Sequence, residues 1–324
     1  MTDGHLVGGV NAAFVGTNDP QAHIDLLVGQ LGWEVAEVGV IPAADAVALW
    51  GEGLDDLPYT VLTAAGATHG RVVLLRVPDQ EPGPHPRQAD TGFIALNMYT
   101  RDIDVTFQDL TAVGYPWLTP PASWQVPLGD KVVTVTQGFL QAPESTDIVF
   151  VQPAQARGTA AWDRDPDRHY TELTSVVCHV PDFDAEAAFW GPEGLGLSPW
   201  YDVTFTHPGL DAMAKLPPGT FMRLTFLAGS TTARIEITQT VERGLGGDLR
   251  DRQRTARHLG HTGWLVEVAD LDAALATATA RGGTLRSGPH PGPEALLGGR
   301  PVAFVDTPNG LPVTIVQAAA PTSA

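Results

Sequence analysis

One pattern restricts this chain more than any other: a strand, an acidic or amide turn and an amphipathic helix recur four times, about 80 residues apart. The copies read VNAAFVGTNDPQAHIDLLVGQLGW, FIALNMYTRDIDVTFQDLTAVGYPW, TSVVCHVPDFDAEAAFWGPEGLGL and TGWLVEVADLDAALATATARGGTL. In each, alternating apolar residues predict a half-buried strand, and Asn18, Asp102, Asp182 or Asp270 stands where a helix N-cap is needed. Gly32, Gly114, Gly194 and Gly282 are the expected helix stops. Stretches rich in Val, Thr, Phe and Ile follow and close with strands at 71–77, 147–153, 233–239 and 312–318. The unit is βαβββ, present four times, and the fold class is α+β. Runs rich in Pro, Gly or charge separate the units: DQEPGPHPRQAD, PAQARGTAAWDRDPDRH and VERGLGGDLRDRQRTARHLG. The middle run is the expected domain boundary, dividing 1–155 from 168–320, each with two modules.

Charge excludes whole classes of partner. The 324 residues carry a formal net charge of -18, a field that repels phosphate backbones and anionic headgroups, so neither nucleic acid nor membrane is an expected partner. No window approaches the ~20 apolar residues of a membrane span, and the start lacks the basic region of a signal peptide. The mature chain is therefore expected to be the whole chain, and the location cytoplasmic. Cys178 is the single cysteine; it rules out an internal disulfide and reads as a buried structural thiol. GEGLDD and GLGGDLR lack the third glycine and the context of a dinucleotide fingerprint, and no P-loop or serine-hydrolase elbow occurs.

The chain resembles the vicinal oxygen chelate superfamily, which includes glyoxalase I, bleomycin-resistance proteins and type I extradiol dioxygenases. The resemblance rests on LTSVVCHVPDFDAEAAFW and on GWLVEVADLDAAL followed by GGRPVAFVDTPNGLPVTIV; it is strong in the second half and weak in the first. It implies that the four modules pair into two cup-shaped mixed sheets with helices outside, and that a divalent metal sits in the cup, held by a His seven residues before the turn acid and a Glu four residues after the last turn glycine. Those positions here are Asn11, Ala95, Ser175 and Gly263 on the first strands, and Leu74, Val149, Glu236 and Thr314 on the closing strands. Only Glu236 is a ligand of the implied type, and one acid does not hold Zn, Fe or Mn.

Parity along the strands brings His179, His261 and Glu267 onto the cup side as shifted candidates, yet His261 and Glu267 are about 20 Å apart on one strand. The expectation is no metal and no cofactor; the alternative is a divalent Fe, Mn or Zn at Glu236 and His261. Glu236 reads as the catalytic acid/base with His179 as proton partner, or as an ion pair with Arg234 or Arg223. Ser175, His261, Gly263, Glu267, Thr314, Asn11, Asn97 and Tyr99 are the expected substrate contacts. Trp117, Trp124, Trp190 and Trp200 are candidates for aromatic walls or for core.

The expected ligand is a small organic molecule, aromatic or polyketide-like. Three uses stay open: a metal-independent tailoring lyase, isomerase or cyclase; a drug- or metabolite-sequestering protein of bleomycin-resistance type; and an extradiol-type dioxygenase with displaced ligands. Four modules can complete two cups within one chain, so either a monomer or a homodimer is expected.

Overall fold

The computed structural model describes residues 5–51, 53–77, 80–128, 131–155, 157–253 and 256–320; Asp79, Ala156, Arg254 and Thr255 of the separating runs lie outside them. The first module comprises β1 (Leu6–Thr17), α1 (Pro20–Ile24) running into a π-helical turn (Asp25–Gln30), β2 (Glu34–Ile41), α2 (Ala43–Trp50), β3 (Leu57–Thr63) and β4 (Arg71–Arg76). The second comprises β5 (Gly92–Thr100), α3 (Ile103–Ala112), β6 (Ala122–Leu128), β7 (Lys131–Ala142) and β8 (Thr146–Gln152). After α4 (Ala160–Arg164) come β9 (Tyr170–His179), α5 (Phe183–Trp190), β10 (Ser198–Phe205), α6 (Pro208–Met213), β11 (Met222–Ala228) and β12 (Arg234–Thr240). The fourth module is β13 (Gly260–Val268), α7 (Leu271–Ala280), β14 (Thr284–Pro291), α8 (Glu294–Leu297), β15 (Pro301–Asp306) and β16 (Pro312–Gln317).

The turn acids start the helices by satisfying first-turn N–H groups that have no partner within the helix. Asp102 accepts from the amides of Asp104 and Val105 at 3.0 Å each, Asp182 from Ala185 at 3.1 Å and Asp270 from Ala273 at 3.0 Å. In the first module the cap is Asp19, not Asn18, because Pro20 occupies the first helical position and shifts the start by one residue. In the third, the helix ends at Trp190, ahead of the expected stop at Gly194.

Modules pair across the chain. One eight-stranded sheet has the order β14-β15-β16-β13-β1-β4-β3-β2 and the other β10-β11-β12-β9-β5-β8-β7-β6. The first and fourth modules therefore share a sheet, as do the second and third, joined by antiparallel pairing of β1 with β13 and of β5 with β9. This corrects the division at 155–168: neither 1–155 nor 168–320 closes a cup by itself. Both sheets are completed within one chain. Their convex faces and the helices share one core, in which Phe93, Phe150, Trp190 and Trp264 are fully buried. Glu186 of α5 ties the third module to the fourth, and so one sheet to the other, by accepting from Trp190 Nε1, Thr307 Oγ1 and Asn309 Nδ2, each at 2.9 Å.

The two concave faces differ. In the first sheet, Trp50 of α2 lies edge-on to Phe14 with centroids 5.6 Å apart, and Leu49, Leu54, Phe304 and Leu297 fill the space around them. The second sheet stays open.

Because β1 and β5 need partners from the other half of the chain, residues 1–155 produced alone should expose both as unpaired edges. That fragment is expected to lack a cooperative thermal transition and a near-UV circular dichroism signal; a sharp two-state melt would contradict the interleaved pairing.

Candidate functional site

All eight strands of the second sheet contribute side chains to a cavity of about 1100 Å³, counting its open mouth. Its wall is apolar and aromatic: Trp124 on β6, Phe139 on β7, Trp200 and Tyr201 on β10, and Phe226 on β11. A wall of this kind binds organic surface by desolvation and orients it through a few polar groups. Those groups are at the floor. Asn97 on β5 stands opposite Ser175 on β9, and Glu236 on β12 lies one strand further over. Asn97 Nδ2 donates to Glu236 Oε2 at 2.7 Å and to Ser175 Oγ at 2.9 Å, and Ser175 Oγ donates to the same carboxyl oxygen at 3.4 Å.

Glu236 is 8% exposed, and among the described residues it has no cationic partner. Arg223 is committed to Asp184 at 2.7 Å. Arg234, on the same face of β12, gives its Nη1 to Tyr99 Oη at 3.2 Å. The ion pair offered by the sequence is thus absent among these residues, and burial, only partly offset by the bonds from Asn97 and Ser175, pushes the Glu236 carboxyl up to about 7. Glu186 shows what a purely structural buried carboxyl looks like in this chain: three side-chain donors surround it, away from the cavity. Glu236 has two, and both its neighbours face open space.

The expected site residues divide sharply. Glu236, Ser175, Asn97 and Tyr99 meet in the cavity. His179 does not line it. It sits at the end of β9, where the Thr240 amide donates to its Nε2 at 2.9 Å, and burial lowers its pKa to about 4; a neutral ring already used as an acceptor is a poor proton partner for Glu236. His261 lies in the other sheet. A bulge pairs Phe14 with Gly263 and Val15 with His261, so Thr262 takes the inward position and parity inverts beyond it. His261 consequently stacks on Phe93 with centroids 4.5 Å apart and accepts from Trp264 Nε1 at 2.9 Å, deep in the core between the sheets.

Gly263 and Thr314 line only a small gap beside Phe14 and Trp50 in the filled cup. Glu267 is bound to Arg300 at 2.8 Å. Asn11 falls at a break in the register of β1 and does not line the cavity. In the same strand region Leu74 faces the shared core while Val73 and Leu75 face the cup, one residue off the expected position.

Of the four tryptophans, Trp124 and Trp200 line the cavity, whereas Trp190 and Trp117 belong to the core. Four cavity residues from the separating runs went unread in the sequence. Gln88 comes from the first separating run, and Pro153, Ala154 and Arg157 come from the segment expected to be a domain boundary. Since the second and third modules share a sheet, their connection has to pass over the cup, and it forms part of the rim.

A divalent ion, as the fold implies, needs about three His or carboxylate ligands. The cavity offers one carboxyl with an amide, a serine hydroxyl and a phenol around it, and no group of three or more His, Cys, Asp or Glu able to hold a metal occurs among the described residues. The Glu236 and His261 pair belongs to different sheets and cannot share an ion. The donor set does not fit the metal.

The raised Glu236 pKa couples to stability. The unfolded chain releases this proton near 4.5 and the folded chain near 7. Between those values the folded state holds the extra proton, so stability falls as pH rises through the window and stays lower above it. Glu236→Gln is expected to exceed the parent in stability by on the order of 2 kcal/mol at about pH 8, with the gap closing below about pH 4.5. Urea midpoints at both ends measure this, and an equal difference at both would contradict a displaced pKa.

No family model matches the sequence, and no curated protein matches it. Solved structures do. The chain superposes on glyoxalase I from Zea mays with a TM-score of 0.62 at 14% identity, covering 96% of this chain and 92% of that one. It superposes on a candidate dioxygenase from Bacillus subtilis with a TM-score of 0.60 at 11% identity, covering 98% and 87%. No helix among the described residues is long and apolar enough to cross a membrane. At such identities the likeness carries architecture alone: the chain has the vicinal oxygen chelate fold, with four βαβββ modules in one polypeptide.

Proposed function

We propose that the cavity of the second sheet binds a small aromatic or polyketide-like molecule and that Glu236 moves a proton on it without a metal, in an isomerase or lyase reaction. The observation that carries this reading is the Glu236 carboxyl itself: buried, without a counter-ion among the described residues, aimed at an aromatic cavity and poised near neutrality at about 7. A general acid/base works best when its pKa lies near the operating pH, since both protonation states are then accessible. Asn97 and Ser175 hold one carboxyl oxygen by hydrogen bonds, which fixes the group's orientation and leaves the other oxygen for the substrate.

The chemistry such a group supports is a proton shuttle. The carboxylate takes a proton from an activated carbon of the bound molecule and, now as the acid, returns it to a neighbouring atom, giving an isomer. In the lyase variant it returns the proton to the leaving group on the adjacent carbon, and a double bond forms between the two carbons. With His179 held elsewhere, a single group performs both transfers. The apolar walls exclude water and restrain the substrate's conformation.

Candidate aromatic metabolites can be screened by quenching of the tryptophan fluorescence, and those that bind tested for conversion by mass spectrometry. Glu236→Gln should lower kcat by at least about 100-fold, the usual scale for loss of a general acid/base, while Kd changes less than about threefold. Retained turnover would remove the acid/base role, and tight binding without conversion of any ligand would favour a sequestering protein. For the parent enzyme, kcat/KM should rise with pH through a single ionisation near 7, as the basic form of Glu236 accumulates; a profile flat from pH 5 to 9 would contradict it.

A further inference from the structure

The rim of the same cavity indicates the charge of its ligand, an inference that rests on the reading of the cavity as an aromatic site. Arg157, from the connection between the second and third modules, lies over the Trp200 ring with its guanidinium carbon 4.5 Å from the centroid. Arg234 lies over the same ring at 4.6 Å. Trp200 is 39% exposed, whereas Asn97, Ser175 and Glu236 are buried, so these cations mark the outer end of the cavity and the carboxyl its inner end. Arg234 and Glu236 are two residues apart on β12, about 7 Å along the strand.

Neither rim arginine forms an ion pair among the described residues, in a chain with 37 acidic and 19 basic residues. Arg87, Arg223, Arg250, Arg281, Arg286 and Arg300 each have a carboxylate partner. Arg157 and Arg234 instead converge on one ring, the tryptophan at the cavity mouth. Stacking uses the flat face of a guanidinium and leaves its N–H edges free, and those edges match a carboxylate in a two-pronged contact. Arg234 spends one N–H on Tyr99 Oη. No hydrogen bond occupies Arg157 among the described residues.

The floor has the opposite demand. Asn97 Oδ1 is buried and has no hydrogen-bond partner, so it calls for a donor from whatever fills the cavity.

We propose that the ligand is an aromatic acid carrying a hydrogen-bond donor, such as a hydroxyl, at the end away from its anionic group. The anion sits against Arg157 and Arg234 beside Trp200, the ring system lies between Trp124, Phe139 and Phe226, and the donor meets Asn97 Oδ1 next to Glu236. This orientation places the substituted end, not the acid group, at the proton-transferring residue.

A matched pair of probes tests it: 6-hydroxy-2-naphthoate and 6-hydroxy-2-naphthamide, alike in shape and differing in charge, titrated by tryptophan quenching. The acid should bind the parent protein at least tenfold more tightly than the amide, and raising the salt concentration should weaken the acid alone. Arg157→Gln should cost the acid about tenfold or more and the amide less than twofold, while Arg157→Lys restores part of the loss. The salt series uses the parent protein and needs no variant to fold. Equal binding of acid and amide, with both indifferent to Arg157→Gln, would overturn the anionic ligand while leaving the cavity's aromatic role standing. Binding of neither would overturn the aromatic role and this inference with it.

Discussion

The antiparallel pairing of first strands, β5 with β9 and β1 with β13, is the contact on which the rest of the molecule depends. A single βαβββ module has one concave half-sheet whose first strand is an unpaired edge, and an edge of that kind has to be covered. Pairing first strand to first strand removes both edges at once and doubles the curvature into a cup. With four modules on one chain, the inner two pair with each other and the outer two close around them. The link between the second and third modules is thereby drawn across the second cup, which is why a segment reading as a boundary supplies Arg157 to the rim.

The same pairing creates the environment of Glu236. Asn97 and Ser175 come from the two partner first strands and sit opposite each other only in this register; together they hold a carboxyl donated by β12. A buried acid normally keeps its charge by ion pairing or surrounds itself with donors. Glu186 follows the second course, with three donors. Glu236 follows neither fully; burial raises the proton affinity of both carboxyls, and that of Glu236 reaches about 7 beside an open cavity. The two cups share one plan and differ in filling: Trp50, Phe14 and Phe304 fill the outer one with packing, and the inner one stays open.

Much of this was legible in the sequence because it depends on local periodicity. Asp102, Asp182 and Asp270 announce helix starts through N–H groups that any helix must satisfy, and the alternation along β9 and β12 puts Ser175 and Glu236 on one face. What stayed hidden depends on long-range register. A single bulge opposite Phe14 sends His261 into the core, although its count from the turn acid is correct for a cup position. The separation of His179 from Glu236 reflects how far along a strand a cup extends, which parity does not encode. The module order was equally invisible, since 1–155 and 168–320 each contain two complete repeats and the periodicity of a strand does not say which partner it takes.

The central claim is that Glu236 carries a proton near neutral pH. It is tested most directly by infrared difference spectroscopy of the parent protein against Glu236→Gln across a pH titration. The account predicts a protonated-carboxyl C=O band, missing from the variant, that persists at pH 6 and disappears with a midpoint near 7. A band lost by about pH 5, at the ordinary position for a glutamic acid, would contradict it.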